Sequence, residues 1–147
     1  MQFLSTILAL AATASAATLV PRQQAFFVND FQANCTEHSV KCSYSFDITS
    51  DSTKGTKCET ELNGPDKLPE VKQAACEGGM WKFDVKPRDG GLYLAAFLPL
   101  NSRTTQDYCH KIPADQITTS PRNDSVQVQK YTGPTSFQVS IFDCDRS

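Results

Sequence analysis

The chain has 147 residues and a formal net charge of −2 at pH 7, because its 14 lysines and arginines nearly balance its 16 acidic residues. The charges are interspersed and include no basic stretch. Nothing in the sequence therefore marks a surface for nucleic acid or for an anionic membrane. We expect neither of them among the partners of this protein.

The first residues have the pattern of a secretory signal peptide. The sequence MQFLSTILALAATASAA is apolar, carries no charged side chain and ends in small residues that fit an A-x-A cleavage site, although the usual basic n-region is missing. This run is shorter than the roughly 20 residues that span a bilayer. We predict a cleaved signal peptide at 1–16, a short N-terminal or pro-segment at 17–25 and one secreted, extracellular domain at 26–147.

All six cysteines lie in the predicted secreted domain. An even number of cysteines in an exported chain predicts disulfides, although sequence alone does not choose among the possible connectivities. A bond between Cys58 and Cys76 is favoured because it would close a proline-containing excursion whose closure costs chain entropy. Two further pairs are favoured, one across a predicted hairpin and one at the C-terminal strand: Cys35 with Cys42, and Cys109 with Cys144.

Two N-glycosylation sequons, beginning at Asn34 and Asn123, are compatible with secretion. The first sequon contains Cys35, and pairing of that thiol during folding would compete with glycan transfer. Asn123 is therefore the preferred acceptor.

Alternation of apolar and polar residues predicts strands in the first half of the domain. Residues 41–49, KCSYSFDIT, place every second side chain on one apolar face. An earlier run and the polar break at 37–39 complete a predicted hairpin, and a third strand is predicted over 56–62. The apolar set of the earlier run is Phe27, Phe31, Ala33 and Cys35.

The middle of the chain predicts one irregular segment and a second hairpin. Residues 68–75 are interpreted as a short helical turn or an irregular loop. Strands at 81–85 and 92–98 flank a glycine-rich turn at 87–91. The second of these strands is apolar on both faces, which predicts a strand that is covered on both sides, by the core in preference to a subunit partner.

Beyond Pro99 the sequence is polar and rich in turns until strand patterns return at 126–130 and 137–141. The whole domain thus predicts about seven short strands separated by turn residues. The expected fold is an all-β, single-domain antiparallel barrel or sandwich, stapled by disulfides.

No recognised catalytic or metal-binding motif occurs in the sequence. A small secreted ribonuclease or another hydrolase would need His38 and His110 to converge with a carboxylate such as Glu59. Their spacing does not favour this arrangement. Cysteine and histidine also lack the spacing of a zinc site. We expect no catalytic residues, metal or cofactor.

Two pairs of carboxylates have the composition of a glycosidase site. They are Asp143 with Asp145 and Asp84 with Asp89. Aspartates near turns are common on protein surfaces, so we interpret both pairs as ordinary surface residues.

Most aromatic residues fall at strand spacing and are expected in the core. Three of them are out of phase with the apolar set of their own strand. We therefore select Phe26, Tyr93 and Phe142 as candidates for a binding surface.

A series of short motifs runs along most of the predicted secreted domain. They are FFVNDF at 26–31, CSYSF at 42–46, GTKC at 55–58, Leu68-Pro69 before Cys76, WKF at 81–83, Gly91-Leu92, Ile112-Pro113 and YTGP at 131–134 before Phe137. In their order these motifs resemble the fungal hypersensitive-response-inducing secreted proteins, which are similar to the Alternaria major-allergen-like β-barrel family.

This resemblance implies a fungal extracellular β-barrel protein that plants recognise as an elicitor and that acts as an effector, without catalytic residues. The allergen-like branch forms a disulfide-linked dimer through an early cysteine, which would be Cys35 here. All six cysteines of this chain can pair internally, which argues against this covalent dimer and leaves a noncovalent homodimer open.

We therefore expect a non-enzymatic secreted elicitor or effector that binds a host protein or a small ligand. Two alternatives stay open, a small secreted hydrolase or ribonuclease and a structural protein associated with the cell wall.

Overall fold

The computed structural model describes residues 26–36, 40–50, 55–64, 67–120 and 128–145. Several predictions lie outside these residues: the signal peptide at 1–16, the segment at 17–25, His38 and the sequon at Asn123. Among the described residues no helix is long and apolar enough to cross a membrane.

Ten strands and two one-turn 3₁₀ segments form the described part of the chain. The 3₁₀ segments are Ala114–Gln116 and Ile141–Asp143. The strands are β1 (Phe26–Cys35), β2 (Lys41–Thr49), β3 (Thr56–Asn63), β4 (Val71–Ala75), β5 (Lys82–Arg88), β6 (Gly91–Pro99), β7 (Thr105–Ile112), β8 (Ile117–Ser120), β9 (Val128–Tyr131) and β10 (Phe137–Val139).

The strands form two antiparallel sheets with one core between them. The first sheet has the order β3-β2-β1-β9-β8, with β10 also paired to β1, and the second has the order β4-β5-β6-β7. Rings from the two sheets meet edge to face, as where Phe46 lies 5.0 Å from Phe83. The predicted all-β antiparallel fold is confirmed, in the form of two packed sheets.

A bulge in β1 exchanges the roles predicted for Phe26 and Phe27. The register of β1 against β2 shifts near Asp30, which has a positive φ of 54°. A bulge adds one residue and therefore reverses the alternation of side chains beyond it. Phe26 is 9% exposed and belongs to the core, whereas Phe27 is 40% exposed. The sequence analysis applies the alternation of residues 31–35 to Phe27 as well, which predicts a buried Phe27 and an exposed Phe26. Both predictions are wrong.

The interpretation of residues 68–75 as a helical turn or loop is wrong for Val71–Ala75, which form edge strand β4. Lysine, glutamine and alanine favour helix, but the segment between Pro69 and Cys76 is too short for stable helix nucleation. Pairing with β5 satisfies its backbone instead, with a register shift at Gln73.

The polar region after Pro99 contains two strands that the sequence interpretation missed, β7 and β8. In β7 only Tyr108 and Ile112 are strongly apolar residues on the core side. The strand forms because its backbone pairs with β6 over its whole length. The prediction that Ile141 belongs to the final strand is wrong, because Ile141 lies in a 3₁₀ turn.

All three favoured disulfides are confirmed: Cys35–Cys42, Cys58–Cys76 and Cys109–Cys144. Each has a different structural position. The first joins directly opposed residues of β1 and β2. The second connects the first sheet, through β3, to the end of β4 in the second sheet. The third ties the C-terminal residues to β7.

Replacement of both Cys58 and Cys76 by alanine is expected to lower the free energy of unfolding by about 3 kcal/mol, because this disulfide restricts the unfolded chain over a separation of 18 residues. The matched replacement of Cys35 and Cys42, separated by 7 residues, is expected to cost about 1 kcal/mol less. Urea denaturation followed by Trp81 fluorescence measures both losses. A larger loss for the Cys35 pair would contradict this explanation.

Candidate binding groove

The outward face of the second sheet brings together aromatic and charged side chains from three strands. Pleating sends alternate residues of β5, β6 and β7 away from the core. The antiparallel register then sets the neighbours across the sheet. Three cross-strand rows result: Lys82, Phe97 and Asp107; Asp84, Ala95 and Cys109; and Lys86, Tyr93 and Lys111.

A depression forms on this face because the small Ala95 lies between two rings. On β6, Tyr93 lies two residues before Ala95 and Phe97 lies two residues after it. Ala95 itself is only 7% exposed. Two adjoining clefts of about 370 and 460 Å³ share Gln73, Phe97 and Asp107. Each has the volume of a typical ligand pocket. We call the two together the outer groove, lined chiefly by Glu70, Lys72, Gln73, Lys82, Asp84, Lys86, Tyr93, Ala95, Phe97 and Asp107.

The C-terminal strap, defined here as Cys144 and Asp145, forms one wall of the outer groove. The backbone N–H of Asp145 donates a hydrogen bond to the Tyr93 hydroxyl at 2.9 Å. The Asp145 carboxylate makes ion pairs with Arg88 and, at 3.0 Å, with Lys111. The strap is thereby fixed to β5, β6 and β7.

The bulge of β4 forms the opposite wall and orients one carboxylate. Gln73 has a positive φ of 51°. Its backbone N–H donates to Oδ1 of Asp84 at 2.5 Å, and its side-chain amide donates to the same oxygen at 3.3 Å. Asp84 is therefore held in a defined position at the side of the groove.

Burial and neighbouring charges perturb two groups in the outer groove. Burial raises the pKa of Asp107, and the negative charge of Asp84 raises it further. Burial also raises the pKa of Tyr93, and Arg88 opposes that shift. The guanidinium carbon of Arg88 lies 5.4 Å from the centre of the Tyr93 ring, within the range of a cation–π contact.

The structure separates the three aromatic residues selected from the sequence. Tyr93 lines the outer groove. Phe142 is 67% exposed in the second 3₁₀ turn and is not a lining residue of the groove. Phe26 contacts Trp81 and Tyr108 at 4.9 and 4.7 Å between ring centres and is buried in the core, so its selection for a binding surface was wrong.

The residues considered for hydrolysis are not gathered at the outer groove. His110 lies on β7 with its ring stacked 4.0 Å from that of Phe137. Glu59 lies on β3 in the other sheet, where it forms an ion pair with Lys57 at 3.6 Å. Neither residue lines the groove.

In neither of the carboxylate pairs considered from the sequence do both residues line the outer groove. Asp145 of the strap is engaged by two cations. Asp89 lies in the turn between β5 and β6, whereas the carboxylate that perturbs Asp107 is Asp84. The sequence analysis did not identify Asp107 or Phe97 as site residues. Recognition of residues 105–112 as a strand would have indicated that Asp107 lies beside β6.

Two modification sites have defined surroundings. Asn34 is exposed on β1, where its side-chain oxygen accepts a hydrogen bond from the Ser43 hydroxyl at 3.2 Å. Cys35 beside it is engaged in the disulfide with Cys42. That thiol is therefore not available for the intermolecular disulfide considered from the family resemblance.

No family model matches the chain, and no curated protein matches it.

Stability is expected to fall as the pH drops below about 6.5, because burial lowers the pKa of His110 in the folded protein. The Asp143 carboxylate and a hydrogen bond with the Gln138 backbone raise this pKa, but burial is the larger effect. The unfolded chain then binds a proton that the folded one resists, so stability rises with pH in this window. The substitution His110→Phe keeps a ring against Phe137 and should reduce the loss of stability between pH 7.5 and pH 5.5. Urea midpoints at the two pH values measure it. An unchanged difference would assign the pH dependence to other groups.

Proposed function

We propose that this chain is a non-enzymatic secreted protein of the elicitor or effector class, which binds a host protein or a small ligand through the outer groove. One observation carries the proposal: two aromatic rings and seven charged side chains line a depression on one face of a sheet. Ligand sites typically combine an apolar surface with a few oriented polar groups in this way.

The disulfides support the secreted part of the proposal. All six cysteines lie in disulfides. Such bonds are typical of proteins that fold in oxidising compartments and are rare in the cytosol. The apolar N-terminal sequence, with its A-x-A-like end, agrees with that location.

The chemistry of the groove supports binding over catalysis. Its lining contains neither histidine nor serine, and Asp84 is engaged by two hydrogen bonds from Gln73. The resemblance to plant-recognised fungal proteins gives the biological setting, and it does so by analogy of sequence.

A hydrolase is a second candidate, favoured by one observation. The pKa of Asp107 is raised by burial and by Asp84, and a raised carboxyl pKa beside a second carboxylate is a feature of glycosidase general acids. The substitution Asp107→Asn removes the proton donor with little change of shape, so it separates this candidate from simple binding.

Infiltration of the disulfide-intact protein into leaf tissue is expected to cause a local defence response that reduction and alkylation of the cysteines abolish. Phe97→Ala should weaken the response, because it removes a ring from the groove. Phe142→Ala, which removes an exposed ring elsewhere, should not. Asp107→Asn, which keeps one acceptor oxygen in the groove, should weaken the response less than Phe97→Ala does. The measured quantity is the protein dose that gives half of the maximal ion leakage.

Absence of a response to the intact protein would remove the elicitor assignment. A response lost in Asp107→Asn but kept in Phe97→Ala would favour the hydrolase candidate instead.

A further inference from the structure

We propose that the outer groove binds a neutral oligosaccharide, an inference that rests on the binding role proposed for this groove. Three properties of the groove lead to this ligand class: the arrangement of its rings, the mixture of its hydrogen-bonding groups and the balance of its charges.

The rings of Tyr93 and Phe97 form a platform at one level of the sheet. They project from the same face of β6 two residues apart, which corresponds to about 7 Å along a strand. Both are half-buried, and the small Ala95 lies between them in the lining of the groove. Pyranose rings present flat patches of C–H groups, which pack against aromatic rings in the same way as other apolar surfaces.

Hydrogen-bond donors and acceptors alternate around the platform. Lys82 and Lys86 supply donors on β5. Asp84 between them supplies Oδ2 as an acceptor, because its Oδ1 accepts from Gln73. Asp107 adds an acceptor from β7, and Gln73 brings an amide with both functions. A sugar hydroxyl is also both a donor and an acceptor. The lining is therefore suited to a ligand with many hydroxyl groups.

The charges of the groove cancel, which selects against ionic ligands. Three lysines in the lining, Lys72, Lys82 and Lys86, balance the three carboxylates of Glu70, Asp84 and Asp107. Asp145 of the strap is paired with Arg88 and Lys111. A phosphate or uronate ligand would need an excess of cations, and a polyamine would need an excess of carboxylates. A neutral polyhydroxylated ligand needs no excess of either charge, so it is compatible with a groove whose charges cancel.

The shape of the groove favours a chain of sugar units over a single one. Its two lobes meet at Phe97 and Asp107, so the groove continues from the C-terminal strap to the region of Met80. An oligosaccharide lying along it would place successive sugar rings over successive parts of the lining.

Calorimetric titration of the disulfide-intact protein tests this inference with three neutral hexasaccharides, namely cellohexaose, laminarihexaose and chitohexaose. At least one is expected to bind, and Phe97→Ala should weaken its binding by about tenfold, equivalent to about 1.4 kcal/mol, because it removes one of the two rings on which a sugar would pack. Phe27→Ala is the matched control, because Phe27 is an exposed phenylalanine on the first sheet. It should leave the affinity unchanged.

NMR titration of the unsubstituted protein provides a readout that does not depend on a variant's folding. The largest shifts should fall on the backbone amides of Ala95 and Phe97. Shifts centred elsewhere, or failure of all three sugars to bind at millimolar concentration, would overturn the inference. Binding of an acidic tri-galacturonate in place of the neutral sugars would also overturn it. A leaf response that persists without any sugar binding would leave the proposed binding function intact and point to a protein partner.

Discussion

The alternation of side chains along β6 is the constraint on which both the core and the outer groove depend. Because successive residues of a strand point to opposite faces, the inward position of Leu94 requires Ala95 to point outward. Pairing with β5 and β7 then places Asp84 and Cys109 on the two sides of Ala95. A shift of β6 by one residue would send its core residues to solvent and remove the groove at the same time.

The Cys109–Cys144 disulfide converts this sheet face into a groove. Cys109 lies on the outward side of β7, so its bond brings the C-terminal strap over the same face. The ion pairs of Asp145 with Arg88 and Lys111 join partly exposed side chains, and such pairs contribute only about 0–1 kcal/mol. The covalent bond is therefore the main restraint on the strap, and the ion pairs orient it.

The sequence predicted those parts of the fold that strict alternation determines. The pattern of residues 41–49 identified β2, and the Asp89-Gly90 turn identified the hairpin of β5 and β6. Alternation failed at Asp30, where a bulge reverses it. It also failed for β4, whose short helix-favouring sequence becomes a strand only by pairing with β5.

The outer groove was less predictable than the fold. Tyr93 was selected because it is out of phase with the core residues of β6. Phe97 belongs to the same outward set, yet it was assigned to the core with the other aromatics. The contribution of Asp107 depends on β7 lying beside β6, which is a property of the tertiary fold and not of any local pattern.

The proposed binding function requires the outer groove to be the surface by which this protein contacts its target. A photoreactive phenylalanine analogue, placed at position 97 in one sample and at position 27 in another, tests it directly in leaf extract that contains both soluble and cell-wall fractions. We predict that position 97 yields crosslinked products and that position 27 does not. Crosslinking from position 27 alone, or equally from both positions, would contradict the proposal.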